Sequence, residues 1–124
     1  MKKAIIIPIA VVALTALALA TVNAYRVPTL EHSFVEERPE SVATVEFTVD
    51  GLKCRGTSRG FARQIAEVPG IVGVTTYART RTGIVEYDPT LTDPEAIREA
   101  FERPMMHEGR SYEVFRMLSA REVD

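Results

Sequence analysis

A chain of 124 residues has room for one small domain and short appendages, and a hydrophobic share of 46% with charges of both signs argues against a disordered chain. The formal net charge of -2 gives no general pull toward nucleic acid or anionic lipid, although arginines crowd into the middle while acids dominate before residue 41. The single cysteine, Cys54, excludes a disulfide within the chain and leaves no resolving partner for thiol–disulfide exchange.

Lys2 and Lys3 precede an uncharged stretch from Ala4 to Val22, the layout of an export signal or a signal anchor. A membrane-spanning helix needs about 18 or more apolar residues, so the length favours an N-terminal hydrophobic helix that stays as an anchor. Val22-Asn23-Ala24, however, offers the small residues that a signal peptidase accepts. Both readings stay open for residues 1–24, and both carry Tyr25 onward across the membrane to a periplasmic or other extracytoplasmic location. Residues 25–41 hold Pro28 and Pro39, scattered acids and no sustained period, and read as a linker.

The domain is expected over 42–118. Ala43, Val45, Phe47 and Val49 alternate with Thr44, Glu46 and Thr48, the period of a strand with one buried face. After the turn Asp50 to Gly56, Phe61, Ile65 and Val68 recur at helical spacing until Pro69-Gly70. Ile71 to Tyr77 and Ile84 to Tyr87 read as a hairpin, closed by Asp88-Pro89. Thr92-Asp93-Pro94-Glu95 has a cap, an early proline and a reciprocal glutamate, and starts a second helix with Ala96, Ile97, Ala100 and Phe101 on its apolar face. Pro104 and Gly109 break it, Tyr112 to Leu118 supplies a last strand, and 119–124 is a polar tail.

The βαββαβ order predicts an α+β, ferredoxin-like sandwich: a four-stranded antiparallel sheet with two helices on one face. Chain direction reverses at each element. The turn around Cys54, the hairpin turn Arg79 to Thr82 and the loop Pro104 to Gly109 therefore share one end.

From about Val45 to Phe101 the chain resembles the heavy-metal-associated domain of copper chaperones, metal-pump amino termini and periplasmic mercury-binding proteins. The likeness rests on Gly51-Leu52-Lys53-Cys54-Arg55-Gly56-Thr57 against G-M-x-C-x-x-C, on Pro69-Gly70-Ile71, and on Tyr87-Asp88-Pro89. With the export segment, it is most like the periplasmic mercury-binding type. The resemblance implies that a soft ion such as Cu(I) or Hg(II) is held, with Cys54 as principal ligand. Leu52 for methionine is a mild change, but Thr57 stands where the family has its second cysteine, and a hydroxyl is no soft donor.

Three completions of the site follow. Met105, Met106 or His107, expected at the same end, could supply thioether or imidazole ligands; alternatively the methionines plug the core and His107 is a solvated loop residue. A second thiolate could come from another molecule, in a homodimer through Cys54 or a handover to an acidic protein partner attracted by Arg55, Arg59, Arg63, Arg79 and Arg81. Or the domain has kept its shape as an interaction module without metal. No phosphate loop or nucleophile elbow is present, so an enzyme is not expected, nor is a nucleic-acid partner.

Overall fold

The structure, a computed structural model, describes residues 11–15 and 27–123. Residues 11–15 are helical; the rest of the expected export segment lies outside the described residues. No helix among the described residues is long and apolar enough to cross a membrane.

The strands are β1 (Leu30–Ser33), β2 (Ala43–Asp50), β3 (Ile71–Tyr77), β4 (Thr82–Tyr87), β5 (Met105–His107), β6 (Arg110–Tyr112) and β7 (Arg116–Val123), with helices α1 (Arg55–Ile65) and α2 (Pro94–Glu102). Five strands form one sheet in the order β1-β3-β4-β2-β7, with antiparallel neighbours throughout. Without β1, the order β3-β4-β2-β7 is that of the split βαβ sandwich, so the ferredoxin-like expectation holds.

The alternation in β2 works as its period requires. Val45, Phe47 and Val49 are buried while Thr44, Glu46 and Thr48 are half-buried on the other face. On the buried face both helices supply apolar stripes, Phe61 and Ile65 from α1 and Ile97 and Phe101 from α2. Phe101 meets Phe47 at 5.1 Å and Phe61 at 5.0 Å between ring centroids, and Phe115 closes the group at 5.7 Å from Phe61. Aromatic pairs at these separations add to simple area burial.

The end opposite Cys54 is locked by the two other motifs. Asp88 N–H donates to Gly70 O at 2.8 Å, and Asp88 Oδ1 accepts from Thr90 N at 2.9 Å and Thr90 Oγ1 at 2.6 Å. The aspartate thus forms an Asx turn that hands the chain to α2. Asp93 caps α2 by accepting from Ala96 N at 2.8 Å. The expected reciprocal glutamate is not used in that way: Glu95 pairs instead with Arg98, which also holds Glu102.

Three sequence expectations need correction. Part of the expected linker is β1, an edge strand paired with β3 from Leu30↔Thr76 to Ser33↔Gly73. Backbone bonds hold it, with Thr29 N–H on Thr76 O and Phe34 N–H on Val72 O, so its four residues need no apolar pattern. The last strand is not Tyr112 to Leu118 but Arg116–Val123, absorbing the expected tail. The apolar signal at Val114 and Phe115 comes from plugging the core, whereas β7 is an edge strand, mostly exposed, that needs no buried face. The loop 104–109 contains β5, which forms a separate hairpin with β6. Glu108 and Gly109, both at positive φ, make its two-residue turn.

Candidate metal site at the start of the first helix

Chain reversal brings two of the expected loops, the turn after β2 and the β3–β4 turn, to one end. Asp50 at the end of β2 faces Arg81 of the β3–β4 turn at 3.9 Å, and Val49 N–H donates to Arg81 O at 2.7 Å. Gly51 has φ +105, and a Cβ there would lie 2.0 Å from Val114 O, so only glycine lets β2 turn beneath the segment that leads into β7. Leu52, fully buried, anchors the loop from below, as an apolar residue at the family's methionine position should.

Cys54 follows, exposed, as the N-cap of α1. Its backbone is extended, and α1 starts at Arg55, so the turn expected through Gly56 is one residue of cap and then helix. Thr57 sits at the third helical position and completes a capping box. Cys54 Sγ accepts from Thr57 N–H at 3.5 Å, while Thr57 Oγ1 accepts from Cys54 N–H and Lys53 N–H, each at 2.9 Å. The threonine hydroxyl also lies 3.0 Å from Cys54 O, to which it donates, and 3.6 Å from Cys54 Sγ. Its one proton can serve only one of these at a time.

These bonds hold the thiol below the range of an ordinary cysteine. The Thr57 N–H contributes most and the Thr57 hydroxyl next; partial loss of solvent works the other way, and the Gly56 N–H adds a last contribution. The arginines, expected to favour the thiolate, are not among the causes. Thr57 is the functional residue that the sequence reading undervalued. Its signal was present, because Cys54 and Thr57 stand at the spacing of N-cap and third helical residue.

The other expected ligands are placed differently from one another. Met105 is half-buried and packs against the core, while Met106 and His107 are exposed on β5. His107 Nε2 has Glu108 at 3.9 Å. The chain just before β5 is tied away from the thiol: Gln64 Nε2 donates to Arg103 O at 2.7 Å and Arg103 pairs with Glu67 at 2.9 Å. Ten residues of helix separate Cys54 from Gln64, about 15 Å of rise. Among the described residues no three of His, Cys, Asp and Glu gather as a metal-ligating group. Arg55, Arg59 and Arg63 stand exposed on one face of α1.

Fold and site together define an antiparallel α+β sandwich that presents one activated, exposed thiol at a helix start. Residues 46–105 match the family described as the heavy-metal-associated domain. Over 58 residues, 47% of this chain, the sequence is 34% identical to copper-transporting ATPase 1 of Rattus norvegicus. Over 61 residues, 49% of the chain, it is 28% identical to copper-transporting ATPase 2 of Homo sapiens. Each match spans 4% of the relative's length, so the likeness is to one domain of a much longer protein. Among solved structures the chain is similar to oxidized MerP from Ralstonia metallidurans CH34, with TM-score 0.48 and 19% identity over 64% of this chain and 100% of that chain.

Proposed function

We propose that this chain is an exported or membrane-anchored metal-binding or metal-transfer protein, in which the Cys54 thiolate takes a soft ion such as Cu(I) or Hg(II) as cargo. The observation that carries the reading is the exposed sulfur of Cys54, held toward its thiolate form by Thr57 at the position where the family carries its first cysteine. Thiolate is the donor that soft cations prefer. Thr57 does not replace the second thiol: its oxygen is a hard donor and is engaged with Lys53 N, Cys54 N and Cys54 O.

The second ligand therefore comes from another molecule, either a second copy through its own Cys54 or the cysteines of a partner. The exposed arginines at 55, 59 and 63 suit an acidic partner. A single protein ligand leaves the ion easy to hand on, which is the requirement of transfer rather than storage. Residues 1–24 act as signal or anchor and place the domain outside the cytoplasm. The single thiol has no resolving cysteine for thiol–disulfide exchange, and the reading assigns the chain a binding rather than an enzymatic role.

Competitive Cu(I) titration tests this reading on three proteins: wild type, Cys54→Ser, and the triple variant Met105→Leu, Met106→Leu, His107→Ala. The expected result is lost competition in Cys54→Ser and wild-type affinity in the triple variant. Equal affinity in wild type and Cys54→Ser defeats the proposal, and a loss confined to the triple variant moves the site to β5. The second reading is an interaction module without metal, favoured by the way Thr57 turns the family's second thiol position into a helix cap. A partner retained equally by chelator-treated wild type and by Cys54→Ser would support it.

A further inference from the structure

Strand β1 widens the sheet beyond what its helices cover. Two helices about 10 Å across roof about four strands spaced ~4.8 Å apart, and β1 is the fifth. The strip left over between β1 and α1 is a groove of about 380 Å³. Leu30 and Phe34 on the β1 side, Ala62 on α1 and Ala66 at its C-cap give it an apolar floor, and Arg59 and Arg63 stand on its helix side. His32 lies in it as well, stacked edge-on to Phe34 at 4.7 Å.

Two features choose the occupant. Strand spacing makes the strip about 5 Å wide, half the width of a helix, so it cannot seat a third helix but can seat one hydrocarbon chain. Its charge is uncompensated: among the described residues neither Arg59 nor Arg63 forms an ion pair, and the nearby Glu67 is engaged by Arg103. A groove of this volume lies at the lower end of the range that small ligands use.

We propose that the strip between β1 and α1 binds a free single-chain alkyl carboxylate, with its chain on Leu30, Phe34, Ala62 and Ala66 and its carboxylate against Arg59 and Arg63. The site needs neither Cys54 nor a metal, so it stands apart from the proposed ion binding.

The test is residue-resolved amide NMR of the full chain, with dodecanoate added below its micelle threshold. The expected result is saturable shifts confined to Leu30–Phe34 and Arg59–Ala66. Arg59→Ser/Arg63→Ser should weaken binding about tenfold or more, as loss of charge-assisted pairing at a half-open site requires, while keeping the wild-type circular dichroism spectrum. Ala66→Trp, on an exposed position, should block the chain sterically. Absent or unsaturable shifts, equal binding by the double arginine variant, or shifts with phosphatidylglycerol vesicles but not with dodecanoate would each overturn the proposal.

Discussion

Replacing Thr57 by valine keeps its shape and deletes one oxygen. That oxygen accepts from Lys53 N–H and Cys54 N–H, so two donors at the start of α1 lose their protein partner. Lys53 and Cys54 are exposed, and water can take over part of the role, which puts the loss at the lower end of the range for caps, about 1 kcal/mol. For a unit of this size that lowers Tm by about 4–8 °C. The Thr57 N–H remains and still donates to Cys54 Sγ, so the thiol pKa should rise only part of the way toward an ordinary cysteine. The sign follows from linkage: a depressed thiol pKa stabilises the fold above the ordinary value, and that contribution disappears as pH falls through the lowered one. The wild type's advantage over Thr57→Val should therefore be larger in alkaline than in mildly acidic buffer. Iodoacetamide alkylation across pH reads the thiol, and a melting curve reads the cap. Thr57→Ser should keep both properties. An unchanged alkylation midpoint and Tm in Thr57→Val, or a Thr57→Ser protein that behaves like Thr57→Val, would refute the assignment of Thr57 as the residue that caps the helix and activates the thiol.

Thr57→Cys places a second soft donor at the family's position and should raise Cu(I) affinity about tenfold or more by competition with a chromogenic chelator, while lowering Tm because sulfur caps more weakly. Unchanged affinity would mean that the loop does not bind the ion. Gly51→Ala forces an L side chain to φ +105 and against Val114 O, and should destabilise by at least about 1–3 kcal/mol from backbone strain alone in urea unfolding. Asp88 accepts from the Thr90 hydroxyl and then the Thr90 N–H, which hold its carboxyl below the usual range. Its stabilising effect is present above the ordinary carboxylate pKa and is lost as pH falls through the depressed one. Urea midpoints of wild type and Asp88→Asn should thus differ near neutrality and converge as pH falls through the depressed carboxyl range.

The sandwich was legible because its core strands and helices carry strong periods. Val45, Phe47 and Val49 alternate against a buried face, and Ile71 to Tyr77 coincides with β3 residue for residue. What escaped notice was built from backbone pairing. Leu30–Ser33 joins the sheet through β3 with no apolar alternation to announce it, and Ser119 to Val123 reads as a polar tail although it pairs with β2. Val114 and Phe115 gave a strand signal because Phe115 is a core residue and Val114 packs against the core. At the site, the exposed Cys54 and the meeting of its turn with the β3–β4 turn followed from turn chemistry and chain reversal. The cap formed by Thr57 was masked by comparison with a cysteine. Ahead of β5, Arg103 is held by long-range ties to Gln64 and Glu67, which no local pattern encodes.

The most direct measurement is native mass spectrometry of the full chain with one equivalent of Cu(I) under reducing conditions, run beside Cys54→Ser. The expected spectrum has an ion retained by the wild type, with a fraction as a two-chain species sharing one ion, and bare monomer alone for Cys54→Ser. Copper retained equally by both proteins, or by neither, would contradict capture of a soft ion by this thiol.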